Sequence, residues 1–204
     1  MDETKRGLAA VYGSTATRST FALTEHMTVA TPDQIDTIVR EHFRIVAEGE
    51  LEAMDENVTA DFLNVRSTDE PLAARQRGPD GLRATSLWLR QTFADLSFEI
   101  HDLVIGDDRV AALVTMRARQ HGTFLVYADE SGKVTDAFPA TGKTLAVRQT
   151  HWFCIRDGKI SEHDAVRDDL EMAKQLRWLP PTPAYLVRMF LALRRERRRQ
   201  RRAA

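Results

Sequence analysis

The spacing of apolar residues changes once along the chain, near Leu96, and this change restricts the fold more than any other feature. Before it, apolar residues recur every three or four positions, which is the period of an amphipathic helix. After it, stretches such as "RVAALVTMRAR" alternate from residue to residue, which is the period of a β-strand. Strands and helices do not alternate, so we exclude Rossmann and TIM-barrel folds. The order predicts an α+β fold, with helices first and a meander of antiparallel strands after them.

Three helices are predicted before the change of period. The first begins at a T-x-x-Q capping box formed by Thr31 and Gln34, with Pro32 at its first position. A short second helix is predicted around residues 51–58. The third begins at Gly78-Pro79 and carries a broad apolar face.

The strand region is predicted to consist of hairpins. The first hairpin turns at Gly106-Asp107-Asp108, and a longer one turns at Arg156-Asp157-Gly158. Between them, residues 123–143 are predicted to form a strand followed by a polar insertion. A last domain helix is expected to begin near Asp168.

The chain ends differ in composition from its middle. Residues 1–30 are expected to be a flexible tail, residues 31–177 one domain, and residues 178–204 a proline-rich linker with a basic amphipathic helix. The net charge of −1 hides an asymmetry, because residues 181–204 carry eight arginines and one glutamate. No run of about 18 apolar residues predicts a membrane span. The single cysteine suits a reducing compartment, so we expect a cytoplasmic protein.

One face of the predicted strand at residues 145–155 is apolar except for Gln149 and His151. His163 follows the next turn and can face His151 across the hairpin. Two imidazoles in a mostly apolar cavity are suited to moving a proton, although a core histidine bonded to a carbonyl group is an equal alternative. The expected cavity is lined by residues on the same strand face or on the third helix: Trp88, Phe93, Val147 and Phe153.

Three further motifs bear on the chemistry that the chain can perform. Asp168 and Glu171 form a capping box for the last domain helix, and Asp168 is also a candidate catalytic residue. The spacing of the histidines matches no compact metal motif, so we expect no metal. The stretch "ATGKT" has Ala137 where a phosphate-binding loop needs its first glycine, so nucleotide binding is not expected. No cofactor is predicted.

Roughly residues 33–177 resemble the SnoaL-like polyketide cyclases, which include proteins called ester cyclases and belong to the nuclear-transport-factor-2-like superfamily. The resemblance rests on "FRIVAEGELEAMDENVTADFLN", on "GPDGLRATSLWLRQTFADLSFEIHDLVIGDDRVAALVTM" and most sharply on "RDGKISEH" with the following "DDL". It implies a cone, in which a bent antiparallel sheet and the N-terminal helices enclose a pocket. It also implies a cofactor-free intramolecular aldol condensation of a polyketide-like carbonyl compound.

The sequence departs from the family pattern at two places. The family usually has Glu-His-Trp-Asp after the Asp-Gly turn and uses the aspartate as acid and base, whereas this chain has Asp164 and Ala165 at the last two positions. Relatives often have Asn-His where this chain has Asn64-Val65. The resemblance therefore leaves His151 and His163 as the expected proton carriers, with Asn64 and Gln149 as polar pocket residues.

Three function classes stay open from the sequence: a cofactor-free cyclase, a non-catalytic small-ligand binding protein, and an interaction module. A homodimer is expected. For the basic C-terminal helix, docking on its own domain or a partner subunit is expected first. A weak contact with an anionic membrane surface is expected next, and nucleic-acid binding last.

Overall fold

A computed structural model of the chain describes residues 30–106, 109–128 and 131–203. The predicted N-terminal tail up to residue 29 and the two aspartates of the Gly106-Asp107-Asp108 turn lie outside the described residues.

The helices begin and end close to the predicted positions. Both halves of the Thr31–Gln34 capping box are formed, and the Asp168 side chain caps the last domain helix. Among the described helices, none is long and apolar enough to cross a membrane. The helices are α1 (Pro32–Glu48), α2 (Met54–Asn57), α3 (Pro79–Thr92), α4 (Asp169–Gln175) and α5 (Pro183–Ala203), with short 3-10 turns at Ser67–Asp69 and Leu72–Arg75.

The strands form a curved main sheet and a separate ribbon. The strands are β1 (Val58–Asn64), β2 (Phe93–Ile105), β3 (Arg109–Gln120), β4 (Phe124–Tyr127), β5 (Val134–Phe138), β6 (Thr144–Arg156) and β7 (Lys159–Arg167). In the main sheet they follow the order β1–β7–β6–β3–β2, and β4 pairs with β5 in the ribbon. Asp157 and Gly158 have φ angles of 52° and 71°. Both lie in the left-handed region that a two-residue hairpin turn requires.

The predicted fold class, α+β with a curved antiparallel sheet and helices packed against it, is confirmed, and two details differ. β1 runs parallel to β7 at the sheet edge, with Asn64 beside His163. Residues 134–138, predicted as part of a polar insertion, form a strand. Val134 and Ala137 are buried, and α5 covers this strand, so the docked helix supplies the apolar cover that the local sequence did not show.

Helices α1 and α3 pack on the concave side of the sheet and form the core with it. One cluster of buried residues surrounds Phe43, Phe62 and Phe153, and a second surrounds Trp88 and Trp178. Leu89 and Phe98 pack against both clusters. The two clusters are therefore continuous through these side chains.

Candidate functional site

The buried face of β6 carries two polar side chains, as the alternation predicted. Gln149 and His151 are each 6% exposed, in line with the buried residues Val147 and Phe153. The β6–β7 register pairs His151 with Ala165 and Phe153 with His163. His163 is therefore offset from His151 by two residues along the neighbouring strand, and both side chains lie on the same face of the sheet.

These side chains form a hydrogen-bonded row, which we call the histidine row: Gln149, His151 and His163. His151 Nδ1 lies 2.8 Å from His163 Nε2, and His151 Nε2 lies 2.9 Å from Gln149 Oε1. The amide Nε2 of Gln149 faces the sulfur of Met116 at 3.4 Å, which points Oε1 toward His151.

The row fixes the proton positions of the neutral rings. Because Gln149 Oε1 can only accept, His151 must donate from Nε2 and carry its lone pair on Nδ1. His163 must then donate from Nε2 and carry its own lone pair on Nδ1. Among the described residues, His163 Nδ1 is buried without a hydrogen-bond partner. The row therefore ends in an unused, buried basic nitrogen.

A third histidine covers the row from α1. His42 Nδ1 lies 2.8 Å from Asn57 Oδ1, while Asn57 Nδ2 donates to the carbonyl oxygen of Ile38. Since that second bond orients the amide, His42 donates from Nδ1 and keeps its lone pair on Nε2. The His42 and His163 ring centroids are 5.5 Å apart.

Burial keeps all three imidazoles neutral near pH 7. Loss of hydration lowers the pKa of His42 to about 4 and that of His151 to about 3. The pKa of His163 is lowered well below its usual value, first by burial and then by the nearby rings of His151 and His42. A neutral ring retains the lone pair that a base needs.

A buried carboxyl group lies beside the row. Glu70 is 4% exposed, and its Oε2 accepts a 2.6 Å hydrogen bond from Thr85 Oγ1. Asn64 Nδ2 in turn donates to Thr85 Oγ1 at 3.3 Å. Burial raises the pKa of Glu70 to about 7, although Thr85 and the nearby charge of Arg167 oppose this rise. Glu70 therefore exchanges its proton near neutral pH. We call Asn64, Glu70 and Thr85 the carboxyl cluster.

The carboxyl cluster and the histidine row adjoin each other through β1 and β7. Asn64 is the register partner of His163, and Asn64 Oδ1 is a second buried atom without a hydrogen-bond partner in the described part of the chain. At the Gln149 end of the histidine row, Arg167 lies beside Gln149 on β7. Its Nη2 atom forms an ion pair with Asp69 Oδ2 at 2.7 Å. Two buried acceptors, Asn64 Oδ1 and His163 Nδ1, are thus available to a bound ligand or water.

The remaining predicted site residues are divided between different environments. Phe153 stacks on His163, with ring centroids 4.9 Å apart. Trp88, Phe93 and Val147 belong to the other buried cluster, around Phe124 and Trp178. The structure therefore does not bring these three together with the histidines around one cavity.

Asp168 is exposed and accepts a hydrogen bond from the backbone N–H of Glu171 at 2.9 Å. This is the geometry of a helix N-cap. The structure places Asp168 at the start of α4 and gives it no contact with the histidine row.

A cavity of about 590 Å³ opens between the first half of α1 and the β6–β7 turn. Its lining does not include the histidines, but Ile38 connects the two regions, because Asn57 bonds both to the Ile38 carbonyl and to His42. The cavity is lined by Ala30, Asp33, Gln34, Thr37, Ile38, Asp157 and Gly158.

Sequence reasoning missed four of the polar groups, which are His42, Glu70, Thr85 and Arg167. His42 lies on the apolar stripe of α1, four residues after Ile38, so the helical spacing could have revealed it. Glu70 and Arg167 carry no comparable signal, since their burial arises from contacts between β7, α3 and the 3-10 turns. Within the described ranges, no three His, Cys, Asp or Glu side chains are arranged to hold a metal ion.

Comparisons with known proteins agree with this architecture. Solved structures that resemble the chain include TsrD from Streptomyces laurentii, with 24% identity, a TM-score of 0.58, and coverage of 72% of this chain and 97% of that one. A SnoaL-like polyketide cyclase from Agrobacterium tumefaciens has 18% identity, a TM-score of 0.54, and coverage of 70% and 97%. AclR from Streptomyces galilaeus has 21% identity, a TM-score of 0.55, and coverage of 74% and 100%. At these identities the likenesses establish the fold.

No curated protein matches the chain. The sequence model of one family does, and it spans residues 36–176, which include most of α1, the main sheet, the histidine row and the carboxyl cluster. By this match, the chain belongs to the SnoaL-like polyketide cyclase family.

Proposed function

We propose that the protein is a cofactor-free enzyme that closes a ring in a polyketide-like carbonyl compound by an intramolecular aldol-type addition, with His163 as the base. One observation carries the proposal: His163 Nδ1 is a buried lone pair without a partner among the described residues. The histidine row holds that nitrogen in its unprotonated form.

The proposed reaction needs only proton transfer and carbon–carbon bond formation. His163 Nδ1 takes a proton from a carbon that lies between two carbonyl groups, which leaves an enolate. The enolate carbon attacks a second carbonyl carbon of the same molecule. A C–C bond forms as the C=O π bond breaks, and the resulting alkoxide takes the proton back from His163. The product has the mass of the substrate.

The low proton affinity of the row restricts the proposed proton abstraction to strongly activated carbon. A base with a lowered pKa removes a proton only from carbon that flanking carbonyl groups already activate. Once protonated, however, the same imidazolium is a strong acid and returns the proton readily to an alkoxide. His151 and Gln149 would act as positioning residues, because they hold the ring of His163 in the required tautomer.

Glu70 is proposed as the donor to the developing enolate oxygen. Its pKa of about 7 leaves a large neutral fraction near neutral pH, and a neutral carboxyl group can donate a hydrogen bond to an oxyanion. Ala165, at the position where the family has its aspartate, offers only a methyl group beside His151. The carboxyl group that we propose as the donor is therefore that of Glu70, at the end of the first 3-10 turn, and not a side chain of β7.

Entry is proposed through the cavity at α1. A volume of about 590 Å³ falls in the usual range of small-molecule sites. His151 is 6% exposed, and the ring centroid of Phe43 lies 5.0 Å from that of His151. A substrate therefore has to displace part of α1, which carries both Phe43 and His42, to reach the histidine row.

The two buried acceptors without partners, Asn64 Oδ1 and His163 Nδ1, also fit a second candidate, a non-catalytic small-ligand binding protein. In that case the polar atoms of the row and the carboxyl cluster recognise hydroxyl groups of a ligand without transferring protons to or from carbon. Mass spectrometry of ligand that co-purifies with the protein would detect either function, and only turnover separates them.

The test is incubation with a panel of linear and partly cyclised poly-β-ketone esters, followed by liquid chromatography and mass spectrometry. The proposal predicts a product of unchanged mass and shifted retention. His163→Gln should slow its formation by roughly 10²–10⁴-fold, the usual contribution of a positioned base. The matched control is His101→Gln, since His101 is exposed on β2 and bonds to Thr115. Equal turnover by His163→Gln and wild type would refute the assignment.

A homodimer is proposed to form through the outer face of the main sheet. Val104, Ala111 and Trp152 form a row across three strands. Val104 is 64% exposed and Trp152 46% exposed, with Val166 on the adjacent strand at 67%. Light scattering tests this, because Trp152→Glu should convert a dimer into a monomer. A cytoplasmic location also stays a proposal, which the single cysteine supports.

A further inference from the structure

Helix α5 is fixed to its own domain along one side. Gln200 bonds to the backbone of Val134 and Gly132 in the β4–β5 region at 3.0 Å each. Tyr185 is 7% exposed and donates to the carbonyl oxygen of Pro139, and Arg197 donates to that of Val134. The orientation of the opposite side of the helix is therefore set by the fold.

The first half of the opposite side is apolar and open to solvent. Four side chains lie there on two successive turns, and each is at least half exposed. They are Leu186 (50%), Val187 (58%), Phe190 (62%) and Leu191 (56%). An uninterrupted apolar patch of this kind marks a contact surface more often than an ordinary solvated face.

The second half of the same side carries a cluster of arginine side chains. Arg199 pairs with Glu196, and Arg188 and Arg197 bond to backbone carbonyls. The other arginines of the helix have no carboxylate partner among the described residues. These unpaired arginines are Arg194, Arg195, Arg198, Arg201 and Arg202.

The apolar and basic halves meet in two surface hollows. One, of about 440 Å³, is lined by Leu191 and by arginines that include Arg194 and Arg198. The other, of about 350 Å³, has Phe190 and Leu193 beside Arg194 and Arg198. Each hollow therefore offers an apolar wall next to several positive charges.

From these observations we propose that the outer side of α5 docks on a membrane surface containing anionic phospholipids. The apolar half enters the boundary between headgroups and acyl chains, and the unpaired arginines bind the lipid phosphates. A nucleic acid would use the arginines and leave Phe190 and Leu191 in water. An acidic surface on a second copy would likewise leave the apolar half without a role. An anionic lipid surface uses both halves, which is why we choose it.

The experiment is co-flotation of the full-length protein with vesicles. Phosphatidylcholine vesicles with and without phosphatidylglycerol are compared. Wild type should bind the anionic vesicles and lose most of this binding at high salt. Arg194→Gln with Arg198→Gln should weaken binding roughly 30-fold, because each arginine near an anionic surface contributes about 1 kcal/mol of attraction. Phe190→Ser with Leu191→Ser should weaken it by roughly tenfold or more.

The matched control is Arg109→Gln with Arg148→Gln, which removes the same charge from exposed positions on the main sheet. It should bind like wild type, and circular dichroism of every variant should show an unchanged fold. Equal binding of wild type to both kinds of vesicle, or of the control and the α5 arginine variant to anionic vesicles, would overturn the proposal. So would tight binding of a DNA or RNA oligonucleotide that is insensitive to the Phe190 and Leu191 changes while vesicles do not bind.

Discussion

The buried histidines and Glu70 should give the stability of the protein an unusual pH dependence with two opposite components. His42 and His151 have folded-state pKa values of about 4 and about 3, below the unfolded value of 6.5. A histidine held neutral stabilises the fold fully above pH 6.5, and this contribution is lost as pH falls toward the folded-state pKa. His163 acts in the same direction, because burial also lowers its pKa.

The magnitude follows from linkage at about 1.4 kcal/mol per pH unit and per proton. Between pH 7.5 and pH 5, the unfolded chain protonates His42 while the folded chain does not, which removes about 2 kcal/mol of stability. Glu70 acts with the opposite sign. Its folded-state pKa of about 7 lies above the unfolded value of 4.5, so the folded protein gains about 2 kcal/mol over the same interval as this carboxyl group binds its proton.

The assay is urea unfolding, followed by circular dichroism at several pH values, of wild type and two variants. His42→Gln should lose about 2 kcal/mol less than wild type between pH 7.5 and pH 5. Glu70→Gln should lose about 2 kcal/mol more than wild type, because the opposing contribution of this carboxyl group is gone. If His42→Gln, Glu70→Gln and wild type all run parallel, the argument that burial sets these protonation states is wrong.

Three further changes test how individual residues act. Asp168→Ala removes the cap of α4 and should cost about 1 kcal/mol in urea unfolding without slowing turnover, whereas a large loss of turnover at unchanged stability would support the catalytic prediction for Asp168. Trp178→Ala should cost roughly 3–5 kcal/mol, because this ring is 3% exposed and stacks on Phe138; a cost below about 1 kcal/mol would show that the second cluster does not depend on it. Gly78→Ala should lower the thermal midpoint markedly, since Gly78 has a φ angle of 81° and an added Cβ would lie 2.5 Å from the Ala60 carbonyl oxygen; an unchanged midpoint would contradict that geometry.

Much of the fold could be predicted because its signals are local. The capping box at Thr31, the change of period near Leu96 and the left-handed turn at Asp157-Gly158 each depend on a few neighbouring residues. The shared face of His151 and His163 followed from strand alternation alone. Each of these features is determined by residues that are close together in the sequence, so it could be predicted from local spacing.

The rest depends on contacts between distant segments. The parallel pairing of β1 with β7 brings Asn64 beside His163, about a hundred residues away in the chain, and no local pattern indicates it. Glu70 is buried because α3 and β7 close over a 3-10 turn. The separation of Trp88 from the histidines likewise depends on how α3 crosses the sheet, which periodicity does not specify.

The tautomer of His163 is the most direct test of the proposed chemistry, and it can be measured without a substrate. In protein labelled with ¹⁵N at histidine, with His163→Gln used to assign the signals, NMR spectra at pH 7 report the protonation of each ring nitrogen. We predict a neutral His163 ring that carries its proton on Nε2 and leaves Nδ1 unprotonated, and this state should persist as the pH falls below the ordinary histidine pKa of 6.5. A proton on Nδ1 at pH 7, in either a neutral or a charged ring, would contradict it.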